Sequence, residues 1–561
     1  MSELKIFALG GLDEDGKNMF ILEDDQDIFV IECGLKYPNA TQLGIEMVIP
    51  DFSYLVQNAN KVRAIFITHG HDDVMAALPN LCRLINVPIY TGALTAQILK
   101  NKFHECGIKD RDIHVIKRNG TYKIANHKVK TFGVTQSIAD AFGLAILTSQ
   151  GYVVYTSEFI VDFDCRGKGF DFDINVLSEI SSQGVLALMA ESVGSGRNGH
   201  ASPNHRLTPQ IEPSFEDTEQ RIVVTMYNQN LFRVIEVLEL AKKFNRKVFI
   251  YDDALCDVLH YMQTLGYYDF SNLKMINQEE FNNDMQDVLV IVAGSGATIF
   301  KKVHRIAIHE DPVITLSPND TIVIASPMVP GTEKEGARME DDLFKESDHV
   351  VVVDSKRMFS MHAASEDLKM MISLLRPKYY IPVKGEYRQL VSNALIATQM
   401  DYSPNNILVL DNGQIAKFSK GNCLSINERI ECVDQNIDGK DSLDSAGLIL
   451  KDRETLSTDG AIICGVLIDY NTKELIAGPD VQTRGFIYLK DANDIITEIG
   501  NIFVGCISDL VEQEAFDNME ARQLARDRIC KYVFKETGKR PMVLPSIIEI
   551  NGKRLNERGE K

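Results

Sequence analysis

The feature that most constrains the fold of this chain is a short polar turn, THGHDD, at residues 68–73. An apolar run, residues 61–68, leads into the turn and predicts a buried strand. Apolar residues at helical spacing follow over residues 73–86 and predict a helix. A turn that joins a buried strand to a helix is typical of layered α/β proteins.

The turn also contains a candidate metal-binding pattern. His69, His71 and Asp73 alternate along it, so their side chains can converge on one ion beyond the end of the strand. Imidazole nitrogens and carboxylate oxygens are ligands that Zn²⁺ and Mn²⁺ accept. The simpler alternative is a polar turn without a ligand. The strand, turn and helix context favours the metal site.

Charge and composition limit the possible functions. The 561 residues include 59 Lys and Arg and 79 Asp and Glu, a net charge of −20. A protein this acidic is not a general polyanion binder, so any nucleic acid must meet a local basic groove. Ten cysteines without a CxxC pair predict a reduced, cytoplasmic protein. No apolar run approaches the roughly 20 residues that span a bilayer, so we expect no membrane partner.

The length predicts about three domains, and composition changes mark their junctions. Strands and helices alternate up to a loop-rich stretch at residues 194–213, and an α/β alternation resumes at residue 220. A polar stretch covers residues 421–444. The remaining part is a compact unit with a charged helix predicted over residues 512–534.

The turn resembles the HxHxDH motif of the metallo-β-lactamase superfamily, and more of the chain resembles the ribonuclease J family of β-CASP nucleases. The matching segments occur in the family's order along nearly the whole chain. They are 8–18 (ALGGLDEDGKN), 30–34 (VIECG), 44–51 (GIEMVIPD), 64–71 (AIFITHGH), 320–333 (DTIVIASPMVPGTE), 360–370, 377–390 (PKYYIPVKGEYRQL) and 478–488 (GPDVQTRGFIY).

This resemblance implies an α/β protein: a metallo-β-lactamase αββα sandwich, an inserted β-CASP α/β domain and a small α/β C-terminal domain that supports oligomerisation. The expected divisions are residues 1–205 and 348–422 for the sandwich, 206–347 for the insertion, 423–445 for a linker and 446–561 for the C-terminal domain. The implied activity is metal-assisted RNA hydrolysis, 5′ to 3′ from a 5′-monophosphate end of a single strand, and sometimes internal.

The family's centre holds two metal ions through seven ligand positions. His69, His71 and Asp73 stand at three of them, and Glu158, in TSEF, stands where the family has a bridging aspartate. The resemblance therefore implies these four residues as metal ligands. It also implies catalytic roles for Asp73 and Glu158.

Three ligand positions are lost, because Val74, Gln136 and Lys384 stand where the family has histidines. We expect one weakly bound Mn or Zn ion, with at best an amide oxygen from Gln136, and an empty second site. A lysine is positively charged near pH 7. Our hypothesis is that the Lys384 ammonium replaces the second cation and pairs with Asp73 or Glu158.

A second constellation concerns the substrate. The segment MFSMH resembles the family's phosphate-binding HxSGH, which makes Met358, Ser360, Met361 and His362 candidate substrate contacts and His362 a candidate catalytic group. Without the resemblance, a lone histidine beside methionines is more often a core residue. Glu191 stands where the family has an acidic residue.

Two functions remain open. One is a weak metal-dependent ribonuclease, and the other is a non-catalytic RNA-binding or structural subunit. The lost ligands resemble the degenerate paralogue that some bacteria carry beside an active ribonuclease J. That likeness implies a complex with the active paralogue, a homodimer or tetramer, and work in ribosomal RNA maturation and messenger RNA decay. A lactamase or thioesterase would have no use for the inserted module.

Overall fold

The protein is seen in a computed structural model that divides into two compact units. The first contains Met1–Pro38 and Glu46–Asn436, and the second contains Asn39–Ile45 and Ile437–Lys561. The structure describes residues 3–39, 42–109, 111–165, 167–216, 219–329, 331–354, 360–439, 442–443, 447–486 and 493–550. Among these residues, no helix is long and apolar enough to cross a membrane.

The first sheet of the first unit has eight strands. They are β1 (Leu4–Gly10), β2 (Met19–Asp24), β3 (Asp27–Ile31), β5 (Val62–Ile67), β6 (Ile89–Thr91), β7 (Ile113–Val115), β20 (Gln414–Ser419) and β21 (Asn422–Arg429). Their order is β21-β20-β1-β2-β3-β5-β6-β7. Strands β3, β5, β6 and β7 run parallel to one another. Parallel neighbours need long crossover connections, which helices supply here. A short strand, β4, covers Met47–Ile49.

The second sheet has six strands, in the order β19-β12-β11-β10-β9-β8. Their bounds are β8 (Thr121–Ile124), β9 (His127–Gly133), β10 (Phe142–Thr148), β11 (Gly151–Tyr155), β12 (Val185–Glu191) and β19 (Tyr379–Val383). The two sheets enclose an apolar core to which Phe20 and Phe66 contribute from one side and Leu144 and Tyr155 from the other. This arrangement forms the two inner layers of the expected sandwich.

Helices complete the sandwich. Helices α5, α11 and α12 pack their apolar faces on the outer face of the second sheet, around Phe132, Tyr152 and Leu188. The helices of the sandwich are α1 (Ser53–Gln57), α2 (Asp72–Met75), α3 (Leu78–Leu84), α4 (Ala93–Glu105), α5 (Ile174–Ser182), α11 (Ser365–Leu375) and α12 (Tyr387–Gln399), with a 3₁₀ turn at Pro404–Asn406.

Between β12 and β19 the chain forms a third, wholly parallel sheet with helices on both faces. Its strands, in the order β15-β14-β16-β13-β17-β18, are β13 (Ile222–Tyr227), β14 (Lys247–Tyr251), β15 (Lys274–Ile276), β16 (Val288–Gly294), β17 (Thr321–Ile324) and β18 (His349–Val352). One face packs α6 (Thr208–Glu216), α7 (Leu231–Lys243) and α8 (Asp253–Thr264), and the other packs α9 (Thr298–Ala307) and α10 (Glu333–Glu346).

Two expected divisions differ from the observed sheets. Strand β18 pairs with β17, so the inserted sheet continues past residue 347 to Val352. Strand β21 pairs with β20, so residues 422–429 are the edge of the first sheet and not part of a linker. Neither segment contains a buried residue, and such edge strands have little apolar pattern to identify them.

The second unit has its own sheet and core. A hairpin of β22 (Gln435–Asp438) and β23 (Ser442–Leu443) precedes α13 (Leu448–Thr458), β24 (Ala461–Asp469), β25 (Leu475–Arg484), α14 (Asn493–Glu512), α15 (Asn518–Thr537) and β26 (Met542–Ile550). The sheet order is β25-β24-β26, and α14 and α15 pack on one face around Ile462, Phe503 and Ile529. The helix predicted over residues 512–534 is present but begins later: α14 ends at Glu512, and the Asp517 side chain caps α15, which starts at Asn518.

Candidate metal centre

The candidate centre lies just beyond the carboxyl end of β5. The exit of β3 packs tightly against the THGHDD turn: Cys33 N–H donates to the Val74 carbonyl at 2.7 Å, and Leu35 N–H donates to that of Asp72 at 3.0 Å. A Cβ at Gly34 would come within 1.6 Å of the Asp73 carbonyl oxygen, so only glycine fits there. The close contact between these two segments fixes the position of the turn.

The structure brings together three of the predicted metal ligands. His69 Nε2 lies 3.2 Å from His71 Nδ1 and 3.5 Å from Glu158 Oε2, and His71 Nδ1 lies 3.6 Å from the same oxygen. Ligands about 2.0–2.1 Å from a tetrahedral Zn²⁺ are separated by about 3.3–3.4 Å. These three atoms therefore form one face of a tetrahedron of the right size for one ion.

Both histidines are in the protonation state that a metal requires. Burial lowers the pKa of His71 to about 4 and lowers the pKa of His69 well below its usual value. The rings are therefore neutral at pH 7 and retain a lone pair for an ion. His71 Nε2 lies 3.0 Å from Ser137 Oγ and 3.3 Å from the carbonyl oxygen of Gln229, which accepts a hydrogen bond from that nitrogen. This leaves Nδ1 as the ligand atom.

Gln136 reaches the fourth corner of this tetrahedron, but with its amide nitrogen. That nitrogen lies 3.4 Å from His69 Nε2 and 3.5 Å from His71 Nδ1, and it donates to Glu158. The amide oxygen instead accepts the backbone N–H of Ile138 at 3.1 Å. The amide oxygen expected at best as a ligand therefore does not face the other ligand atoms, because the Ile138 backbone N–H holds it.

The Lys384 ammonium lies against two of the carboxylates of this centre. Lys384 is 2% exposed, and its Nζ lies 2.6 Å from Asp73 Oδ2 and forms a still closer ion pair with Glu158. Asp73 was expected to converge with the two histidines on one ion. Its carboxylate instead lies against the Lys384 ammonium. Burial raises the pKa of Asp73, but the Lys384 charge outweighs it and lowers the pKa to about 2. Val74 is fully buried and offers no ligand atom.

His362 faces the same region and pairs with Glu191. Its Nδ1 lies 2.6 Å from Glu191 Oε2, while Glu191 Oε1 accepts the backbone N–H groups of Phe159 and Ala363. Burial alone would lower the pKa of His362, but the Glu191 carboxylate raises it above its usual value and favours the imidazolium. A cation fixed here can hold a phosphate group.

The other members of MFSMH are placed differently. Ser360 is half-buried, whereas the Met361 side chain is 5% exposed and packs in the apolar core of the inserted module, out of reach of a substrate. Met358 lies outside the described residues.

Sequence reasoning missed a buried group behind His69. Thr68 Oγ1 lies 3.0 Å from His69 Nδ1 and 2.8 Å from Ser157 Oγ, and it also bonds to Glu32. Burial raises the pKa of Glu32 to about 8, so this carboxyl group keeps its proton at neutral pH. The signal for this group was the acidic residue of VIECG, an unusual choice at the end of an apolar strand.

Comparison with known proteins shows which families this chain resembles. Family models match in chain order: the metallo-beta-lactamase superfamily over residues 12–143, the ribonuclease J beta-CASP domain over 219–343, the Zn-dependent metallo-hydrolase RNA specificity domain over 351–399 and the ribonuclease J C-terminal domain over 448–550. The fold is also similar to a crystal structure of an Enterococcus faecalis V583 protein of unknown function, with a TM-score of 0.51, 15% identity, and coverage of 74% of this chain and all of that one.

Two curated relatives are similar over almost their entire length. "Ribonuclease J 2" of Staphylococcus aureus (strain NCTC 8325 / PS 47) is 30% identical over 550 residues, which cover 98% of both chains. "Ribonuclease J2" of Bacillus subtilis (strain 168) is 30% identical over 549 residues, covering 98% of this chain and 99% of that one. With these full-length relatives and the four matching models, the chain belongs to the ribonuclease J family, on the side of its second paralogue.

Proposed function

We propose that this chain is an RNA-processing subunit of the ribonuclease J type whose own RNA hydrolysis is very weak. The observation that carries the proposal is the Lys384 ammonium between Asp73 and Glu158. Two-metal hydrolysis needs a cation on each side of the reacting phosphate, about 3.5–4 Å apart. Here one of those two positions contains a protein side chain that offers no ligand atom.

One ion still fits. His69, His71 and Glu158 would hold a Zn²⁺ or Mn²⁺ ion, and a bound ion would polarise the phosphoryl oxygens of RNA as a Lewis acid. Binding would be weak, because Gln136 occupies the fourth corner with hydrogen-bond donors and must turn over to offer its oxygen. We infer one loosely held ion and no second one.

The remaining polar groups would act on the substrate. The His362 imidazolium and Ser360 would hold a phosphate of a single-stranded RNA with a 5′-monophosphate end. Asp73 stays ionised, and together with Glu158 it would orient the scissile group. Lys384 partly neutralises both carboxylates, which weakens their ability to accept a proton in the transition state.

The second candidate is a subunit without catalysis, and Gln136 favours it. Its amide donates to Glu158 and reaches both histidines, so the donor atoms have hydrogen-bond partners without any metal. The site can then persist as a phosphate-binding surface that keeps the shape of the cleft. The weak nuclease and this silent subunit differ only in whether an ion displaces that amide.

We further propose that the chain assembles through its second unit. Ile463 of β24 lies directly opposite Leu544 of β26, and both are more than 40% exposed, as is Ile548 on the same strand. An apolar sheet face of this kind marks an interaction surface. It would support a homodimer or tetramer and a complex with an active ribonuclease J paralogue, in the maturation of ribosomal RNA and the decay of messenger RNA.

All ten cysteines are free thiols, which fits the cytoplasmic location of such a complex.

The test is Mn²⁺-dependent decay of a 5′-monophosphorylated single-stranded RNA by the purified chain. The His69→Ala/His71→Ala variant, prepared in the same way, exposes contaminating nuclease. Slow decay by the wild type alone supports the one-ion ribonuclease, with shortening from the 5′ end separating exonuclease from internal cleavage. Equal rates in both proteins would contradict it and favour the silent subunit.

A further inference from the structure

One segment of this acidic chain carries a marked excess of positive charge. Residues 100–130 contain nine Lys and Arg but only three Asp and Glu, a net charge of +6 in a chain of −20. Three lysines of this segment, Lys117, Lys123 and Lys128, are exposed and lie on or beside strands β8 and β9. We refer to these three lysines as the basic edge.

We propose that the basic edge binds single-stranded RNA outside the candidate metal centre. The inference rests on the proposed RNA substrate and adds a second contact surface for it.

The basic edge begins next to the candidate centre. Strand β7 ends the first sheet and β8 ends the second, and the loop that joins them contains Lys117. In the same loop, the Arg118 guanidinium donates to the carbonyl oxygens of Val134 and Ala141 at 2.9 and 3.0 Å. These two residues flank the segment that contains Gln136. Strand β8 then runs away from the centre, antiparallel to β9. RNA leaving the centre would meet Lys117 first.

The positions of Lys123 and Lys128 destabilise the sheet. They lie directly opposite each other in the antiparallel pairing of β8 with β9, and like charges in that position are destabilising. Among the residues that the structure describes, neither forms an ion pair, and the neighbouring Glu179 is engaged by Lys130 at 2.6 Å. A lysine on an edge strand protects against aggregation, but β9 is an interior strand, so this reason does not cover Lys128.

An exposed ring three residues before Lys117 favours RNA over an acidic protein. His114 of β7 stacks on Tyr90 with ring centroids 4.7 Å apart and planes 14° apart, and its side chain is 46% exposed. Single-stranded RNA is bound by such combinations, because its bases stack on flat rings while its phosphates meet cations. An acidic peptide would need only the lysines.

The experiment measures RNA binding against salt concentration for the full chain and the Lys123→Gln/Lys128→Gln variant. Each phosphate contact with a single strand contributes about 0.7 to the slope of log affinity against log salt, so the variant's slope is expected to fall by about 1.4. The ratio of the wild type's RNA affinity to the variant's should then fall about sevenfold between about 50 and 200 mM salt. Lys531→Gln/Lys535→Gln, which removes two exposed lysines from α15, is the matched control and should keep the slope.

RNA length separates this inference from the proposed function. An RNA of roughly 20 nucleotides should show the loss, and one of roughly 4 nucleotides, which fills only the centre, should bind both proteins equally. Equal slopes for the long RNA would overturn the basic edge alone. No binding of either RNA by the wild type would overturn the proposed function as well.

A single substitution excludes misfolding as the cause. Lys123→Glu converts the like-charged pair with Lys128 into an attractive one, so the variant should unfold at a slightly higher temperature while it binds long RNA more weakly. Higher stability with unchanged RNA binding would contradict the proposal. Unchanged RNA binding with weaker binding of poly-glutamate would assign these lysines to an acidic protein instead.

Discussion

Replacing Lys384 by methionine should destabilise the protein by an amount that the structure allows us to estimate. The substitution keeps the length of the side chain and removes the charge that Asp73 and Glu158 share. Removing one partner of a buried ion pair costs about 3–5 kcal/mol. Because the Asp73 side chain is 30% exposed and Asn18 also donates to it at 3.0 Å, we expect about 3 kcal/mol.

The same variant should gain a response to metal. With the ammonium gone, Asp73 and Glu158 can accept a divalent ion, and a ligand at 100 times its Kd stabilises the folded state by about 2.7 kcal/mol. Urea unfolding with and without Mn²⁺ should therefore show that the ion raises the free energy of unfolding of Lys384→Met by about 2.7 kcal/mol more than it raises that of the wild type.

The matched control for this measurement is Lys345→Met. It removes a surface lysine that is 70% exposed and paired with Asp342, and it should leave the stability close to that of the wild type, because exposed ion pairs contribute little. The reasoning is refuted if Lys384→Met is as stable as the wild type, or if Mn²⁺ stabilises both proteins equally.

Four further predictions concern the same surfaces. The pKa of Asp73 is about 2 in the folded chain against a usual 3.8, so this carboxylate stabilises the folded state by about 2 kcal/mol above pH 4, and this contribution is lost as the pH falls towards 2. Asp73→Asn should therefore make the free energy of unfolding depend less on pH between about 4 and 2. An unchanged pH dependence would contradict this. Gln136→His supplies a nitrogen ligand and should tighten Co²⁺ binding at least about tenfold in a spectroscopic titration, whereas unchanged affinity would place the ion elsewhere. Glu191→Gln should lower the pKa of His362 in an NMR titration, since it removes the main interaction that opposes burial, and a constant pKa would show that Glu191 does not hold the proton. Ile548→Arg should reduce the mass measured by light scattering, and an unchanged mass would exclude the apolar sheet face as the assembly surface.

Strands with a clear apolar run were predictable. Lys247–Tyr251 and Tyr379–Val383 have the bounds that their sequences indicate, because polar residues or turns delimit both runs. Residues 407–410 resemble them in composition, but Ile407 forms only an isolated bridge to Tyr380. Pairing partners far apart in the chain decide such cases, and composition does not specify them.

Helix limits were less predictable, for local reasons. The helix expected over residues 73–86 is divided into α2 and α3, and Pro79 lies in the first turn of the second, where its missing N–H costs nothing. The helix expected over residues 512–534 begins only at Asn518, where the Asp517 side chain caps α15. Local capping groups and a proline therefore decide these helix limits, and apolar periodicity alone does not reveal them.

The candidate site was predictable in its charges and less so in its orientations. Lys384 stands where the family has a metal-binding histidine, so a pairing of its ammonium with Asp73 or Glu158 could be predicted. The structure confirms that pairing. The turned amide of Gln136 did not follow, because it depends on one backbone N–H, that of Ile138. The carbonyl of Gln229 beside His71 was equally hidden, since the fold brings it from the inserted module.

The central claim is that Lys384 replaces the second metal ion, and counting bound ions tests it most directly. Crystals of the full chain soaked in Mn²⁺ and measured at the manganese absorption edge would locate each ion by its anomalous signal. The account predicts no more than one ion per chain, held by His69, His71 and Glu158, with the Lys384 ammonium still beside Asp73. Two adjacent ions, with Lys384 displaced from the centre, would contradict it.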